Sequence, residues 1–276
     1  MTLPSVTMIS KNPYSMKVFE LEAPSIGDKF VIRVSVPASY EMAPDRNYPV
    51  LYVLDGDAAM GVATTTMDYI NLGSNFGMGK NVPDMIVVGI GYERGAIPWL
   101  FTRVRDFSPT VDASFNYNNP NFQIPASGGA DKFYQFLIES VMPAVAENFR
   151  VDPSLAVLAG HSMGGLFALY AMLQPNPVFH KYLLASPFVG WDNRVIFKME
   201  EAYAAKHKRL AADVFLSYCA GEPTPFYRDE VVDTYTVMTA RKYESFRCVL
   251  KEYPEENHFS VISKAFCEGL YALFAE

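Results

Sequence analysis

A three-layer α/β fold, with a mostly parallel sheet covered by helices on both faces, is what this sequence predicts, and three observations predict it. Short apolar, β-branched runs alternate with helix-length segments. Several of those runs, such as Met85-Ile86-Val87-Val88, are continuously apolar, as strands buried on both faces are. Finally, Val157-Leu158-Ala159 leads into Gly160-His161-Ser162-Met163-Gly164 and then a helix-compatible run over 166–173. A strand, a tight glycine-flanked turn centred on serine, and a helix make a nucleophile elbow.

In chain order, the first strand is expected over 30–36, where Phe30, Ile32, Val34 and Val36 alternate with Val31, Arg33 and Ser35. The apolar runs at 50–54 and 85–90 give the next two strands. Residues 92–130 break the rhythm, being rich in Asn, Pro, Ser and aromatics, and they read as a long excursion bordering the site. Helical spacing resumes over 132–149. Strand 156–159 then feeds the elbow, followed by helix 165–173 and strand 182–185. The remaining elements are helix 195–208, strand 214–218, helix 229–243 with Asp229 and Glu230 in its first turn, strand 248–253 and helix 261–274. Nothing marks a division, so residues 1–276 read as one domain.

Composition bounds the function. Half of the 276 residues are apolar and 14% are aromatic, which is globular usage, and no apolar run is long enough to span a membrane. The formal charge of −7 argues against nucleic acid as a partner, and the cluster Lys206-His207-Lys208-Arg209 reads as a solvated face. Three cysteines, Cys219, Cys248 and Cys267, suit a reducing compartment, and Met1-Thr2-Leu3-Pro4-Ser5 has no signal-peptide character, so a cytoplasmic location is expected.

A serine hydroxyl is a weak nucleophile until a base removes its proton, so the elbow calls for a histidine held by a carboxylate. On this architecture the order along the chain is Ser, then acid, then His. Of four histidines, His161 lies inside the elbow, His180 comes too early to leave room for the acid, and His207 sits in the basic cluster. His258, in the polar loop Pro254-Glu255-Glu256-Asn257-His258-Phe259, is the expected base. Glu222, the first carboxylate after strand 214–218, is the expected acid, with Asp229, Glu230 and Asp233 as competitors. Two backbone N–H groups are needed to hold the oxyanion. Met163 should supply one, and the turn Gly56-Asp57 after strand 50–54 the other, assigned to Asp57.

With these residues in place, the chain resembles the putative-esterase (esterase D-like) branch of the α/β hydrolases, close to the ferric siderophore esterases. The resemblance runs through Tyr48-Pro49-Val50-Leu51-Tyr52-Val53-Leu54-Asp55-Gly56, Val88-Gly89-Ile90-Gly91-Tyr92 and Arg103-Val104-Arg105-Asp106-Phe107-Ser108-Pro109. It continues through Gly128-Gly129-Ala130-Asp131-Lys132-Phe133, the elbow, and Asn257-His258-Phe259. It implies an α/β-hydrolase fold and hydrolysis of small-molecule carboxylic esters through an acyl-serine, with no metal or organic cofactor. It further implies that Arg94, Trp99, Arg103 and Arg105 contact an aromatic, anionic ligand; the alternative for Arg105 is a pair with Asp106, and for Trp99 a hydrophobic plug.

Other chemistries fit parts of the sequence. Asp55-Gly56-Asp57 at a strand end resembles the nucleophile loop of magnesium-dependent phosphohydrolases, although no later carboxylate pair accompanies it. The same triad also serves acyl transfer to an alcohol and the cleavage of feruloyl-type esters or thioesters, and a fold without chemistry would be a ligand-binding module. An intact Ser162, Glu222 and His258 in order favours hydrolysis.

Overall fold

The computed structural model describes residues 16–79, 82–92, 96–115, 126–223 and 227–275. Eight strands form one sheet: β1 (Lys17–Ala23), β2 (Asp28–Ser35), β3 (Tyr48–Val53), β4 (Ile86–Gly91), β5 (Val151–His161), β6 (Lys181–Ala185), β7 (Arg209–Cys219) and β8 (Glu244–Tyr253). Their spatial order is β1-β2-β4-β3-β5-β6-β7-β8. β1 and β2 run antiparallel, and β2 is antiparallel to β4. Every pairing from β4 to β8 is parallel. The carboxyl ends of β3, β5, β7 and β8 therefore lie at one end of the sheet.

The helices are α1 (Ser39–Met42), α2 (Gly56–Asn75), α3 (Ala96–Phe107), α4 (Ala130–Phe136), α5 (Met142–Asn148), α6 (Met163–Met172), α7 (Trp191–Ala204), α8 (Arg228–Ala240) and α9 (Val261–Leu273), with a π-turn over Leu137–Val141 joining α4 to α5. Successive strand residues face opposite sides. Leu51 and Val53 join the core beneath α2 and α9, with Met60, Met67, Phe266 and Leu270. Tyr52 between them joins the larger core on the other face, with Phe133, Phe167, Trp191 and Val231. Burial on both faces is why these strands read as unbroken apolar runs.

Besides the one-turn α1, three elements were not predicted. β1 is a polar edge strand in which only Ala23 is fully buried. The 20-residue α2 is rich in Gly, Thr and Met, and its apolar stripe is weak. The third, α3, occupies 12 residues of the segment expected to be a loop. Pro98 sits near its start, where a missing N–H costs no helical hydrogen bond. The excursion over 92–130 is thus helical at its beginning, and its remaining length is correspondingly shorter.

Candidate active site

Ser162 joins the end of β5 to the start of α6 with φ 59° and ψ −119°. A non-glycine residue pays about 1–3 kcal/mol for such a conformation and keeps it only where its surroundings over-determine it. Here they do: the Ser162 N–H donates to the Ala185 carbonyl at 3.0 Å, and the Ser162 carbonyl accepts from Leu166 (3.1 Å) and Phe188 (2.9 Å). The tight return of the chain explains two glycines. A Cβ on Gly160 would lie 2.3 Å from the Gly164 carbonyl oxygen, and one on Gly165 would lie 2.7 Å from the Pro187 Cβ. Ser162 itself is only 8% exposed.

Glu222 follows β7, and His258 follows β8, the neighbouring strand. The structure brings them together: His258 Nδ1 lies 2.6 Å from Glu222 Oε1. The second carboxylate oxygen, Oε2, accepts the Cys219 backbone N–H at 2.8 Å. A carboxylate only accepts, so the proton between the pair belongs to Nδ1, and Nε2 of a neutral His258 is left as the basic nitrogen. Burial, with the Glu222 carboxylate next in weight, pushes the Cys219 thiol up to about 11. Of the competing carboxylates, Asp233 pairs with Arg194 and Glu230 is buried within α8.

His161, set aside by elimination as a base, has a different place. Its Nε2 lies 2.7 Å from the His258 carbonyl oxygen, and the two rings are 4.5 Å apart. A carbonyl can only accept, so His161 carries its proton on Nε2 and ties the base's loop to the elbow. Burial, then electrostatic repulsion from the neighbouring His258 and Arg103, hold the His161 pKa well below its ordinary 6.5.

Beside the elbow lies a buried ion pair. Asp55, in the left-handed region at φ 57°, precedes α2. Both of its oxygens are engaged by Arg103 of α3, Nε to Oδ1 and Nη2 to Oδ2, each at 2.7 Å. Trp99 Nε1 donates to Oδ1 at 3.0 Å, and Arg103 Nη2 reaches the His161 carbonyl at 2.9 Å. A carboxylate bound in this way is poorly placed to attack phosphorus, which removes the support for the phosphohydrolase reading.

The other expected site residues fall differently. Met163 is the first residue of α6 and Asp57 the second of α2, so both lie in helix-opening turns where N–H groups point out along the axis. The Asp57 carboxylate accepts the Tyr92 N–H at 2.5 Å and pairs with Arg33 at 3.0 Å. Arg94 lies outside the described residues. The Arg105 guanidinium forks to Asp106 (2.7 and 2.8 Å) and reaches Asp28 (2.9 Å), the structural pairing weighed against a ligand role. Trp99 likewise gives its indole N–H to Asp55, and Arg103 donates to Asp55 and to the His161 carbonyl. What sequence reasoning missed is a chain of aromatic rings leading from the excursion to the base. Phe115 packs on Phe188 (5.5 Å between centroids), Phe188 on Tyr227 (5.1 Å), and Tyr227 on His258 (4.4 Å).

Among the described residues, no group of three or more His, Cys, Asp or Glu is placed to hold a metal ion, and no helix is long and apolar enough to cross a membrane.

Comparison with known proteins agrees with this architecture. The chain is 27% identical over 238 residues to the ferri-bacillibactin esterase BesA of Bacillus subtilis, covering 84% of this chain and 79% of that protein. It is 29% identical to the siderophore triacetylfusarinine C esterase of Aspergillus fumigatus, covering 91% and 90%. Among solved structures, the siderophore hydrolase EstA of Aspergillus nidulans superposes with a TM-score of 0.82 at 26% identity, over 99% of this chain and 98% of that one. The model of the Esterase family, described as putative esterase, matches residues 23–258, a span that closes on the histidine paired with Glu222. The chain belongs to that family and is a carboxylic ester hydrolase of the α/β-hydrolase fold.

Proposed function

We propose that the protein hydrolyses siderophore-type esters, aryl esters or trilactones, through an acyl-Ser162 intermediate. The observation that carries the mechanism is the 2.6 Å contact between His258 Nδ1 and Glu222, on a loop tied directly to the elbow. His258 Nε2 takes the Ser162 proton as Oγ attacks the ester carbonyl carbon, and the carbonyl π electrons move onto oxygen. The Met163 and Asp57 N–H groups hold that oxyanion. Its collapse breaks the ester C–O bond, and His258 returns the proton to the departing alkoxide. Water, deprotonated by the same nitrogen, then releases the acid and restores the serine. Glu222 fixes the Nδ1–H tautomer and stabilises the imidazolium.

The substrate class is supported by the relatives, whose names specify siderophore esters. Aromatic rings beside His258 suit aryl-bearing substrates. The test is a hydrolysis panel of short acyl esters, feruloyl-type esters, thioesters and catecholate trilactones with and without iron, run on the wild type and Ser162→Ala. A preference for trilactones, together with a loss of at least about 10³-fold in the variant, is expected. Near-normal turnover by Ser162→Ala refutes the mechanism, and indifference across the panel refutes the substrate class.

A further inference from the structure

We infer that Arg103 is a positioning residue that holds the two halves of the oxyanion hole in register; the inference rests on the acyl-serine reading above. The two N–H donors belong to separate chain segments. Asp57 follows β3 and Met163 follows β5, and each donor's position depends on the backbone just before it. Arg103 grips both segments at the same offset. Its guanidinium makes two 2.7 Å bonds to Asp55, two residues before Asp57, and a 2.9 Å bond to the His161 carbonyl, two residues before Met163.

The grip is rigid. Arg103 and Asp55 side chains are 4% and 6% exposed, so solvent does not compete for these bonds. The guanidinium lies over the rings of Trp99 (5.2 Å) and Phe107 (5.5 Å), and Trp99 adds its own bond to Asp55. Asp55 stays in the left-handed region, where a non-glycine residue needs such support, and a Cβ on Gly164 would lie only 3.2 Å from Asp55 Oδ2. The β3 and β5 ladder already fixes these strands up to Val53 and Ala159, and the Leu54 N–H on the Ala159 carbonyl adds one bond more. Beyond that pairing, the backbone diverges into two helices, and Arg103 spans the gap. A planar fork with donors at fixed angles can hold two acceptors on two segments at once; a lysine ammonium on a flexible stem cannot reproduce this.

The experiment compares wild type, Arg103→Lys, Trp99→Phe and Ser162→Ala on two activated esters, neutral 4-nitrophenyl acetate and anionic 4-nitrophenyl hemisuccinate, with circular dichroism and melting curves for each. Both acylation and deacylation form an oxyanion, so kcat falls whichever limits turnover. Expected for Arg103→Lys is a drop in kcat of about 10- to 1,000-fold, equal for the two esters, with KM within about threefold. A kcat within twofold of wild type in a folded variant overturns the inference. So does a loss confined to the KM of the anionic ester, which would make Arg103 a substrate ligand. If Arg103→Lys does not melt cooperatively, Trp99→Phe decides: removal of one bond to Asp55 should lower kcat about three- to tenfold with KM unchanged, and an unchanged kcat overturns the clamp. Full activity in Ser162→Ala overturns this inference and the acyl-serine mechanism together, whereas an inactive Ser162→Ala beside a fully active Arg103→Lys overturns the clamp alone.

Discussion

Replacing Glu222 by glutamine changes one atom, and its effect follows from counting donors. The carboxylate accepts two hydrogen bonds, His258 Nδ1–H at 2.6 Å and the Cys219 backbone N–H at 2.8 Å, and its side chain is 1% exposed. A glutamine offers one acceptor oxygen and one NH₂ donor. If the oxygen faces His258, the NH₂ meets the Cys219 N–H, and two buried donors oppose each other at about 1–3 kcal/mol of stability. If the oxygen faces Cys219, that loss disappears, but the NH₂ now donates to Nδ1 and drives the imidazole proton onto Nε2. The folded protein takes the second arrangement, so His258 presents a donor where a base is needed. In a serine protease the same kind of tautomer error lowers kcat about 10⁴-fold, and a loss of about 10³- to 10⁴-fold is expected here. Glu222→Ala removes the acceptor without enforcing the wrong tautomer, so it should lose less. The assay is kcat on an activated ester at neutral pH for both variants, with melting curves to establish that each is folded. Turnover by Glu222→Gln within tenfold of wild type, or a larger loss in Glu222→Ala, would refute the reasoning.

Gly160→Ala places a Cβ 2.3 Å from the Gly164 carbonyl and should cost about 2–4 kcal/mol in urea unfolding, because the obstacle is backbone and cannot rotate away. An unaffected midpoint would mean the elbow is looser than its geometry. His161 supplies a pH test. Its folded pKa is depressed, chiefly by burial, so below about 6.5 the unfolded chain binds a proton that the folded one refuses. Its contribution is intact above that pH and declines as pH falls toward the folded pKa, by up to about 1.4 kcal/mol per pH unit. His161→Gln, which keeps an N–H donor for the His258 carbonyl but cannot titrate, should show a shallower loss of stability between about pH 6.5 and 5. Identical slopes in the two proteins would remove His161 as the source.

Much of the architecture was legible because each signal was local. Buried parallel strands are unbroken apolar runs, and the elbow is a single stretch whose first glycine answers to a contact four residues on, Gly160 against Gly164. Glu222 and His258 were placed by chain order, and the structure sets them side by side because β7 and β8 are neighbours. What escaped was either weakly patterned or long-range. α2 packs a face of Gly, Ala, Met and Thr whose mean apolar contrast is low, so packing and not periodicity makes it a helix. Arg103 meets its partners 48 and 58 residues away in sequence, and His161 reaches across 97 residues to the His258 carbonyl. No propensity or spacing rule registers a bond of that span. Arg103 and Arg105, which the resemblance suggested as ligand contacts, pair with carboxylates instead, because a charge in sequence does not reveal whether its counter-ion is already inside the protein.

The proposed catalytic groups divide between the middle of the sheet and its outer edge. Ser162 follows β5, a central strand, whereas Glu222 and His258 follow the last two strands laid against that side. Chains emerge from the ribosome N-terminus first and fold as they lengthen. On the proposed mechanism, a growing chain therefore carries its nucleophile before the residue that would activate it has been synthesised. On that mechanism the serine stays chemically quiet until β7 and β8 dock at the sheet's edge, so the completion of folding would also be the moment at which the protein becomes reactive.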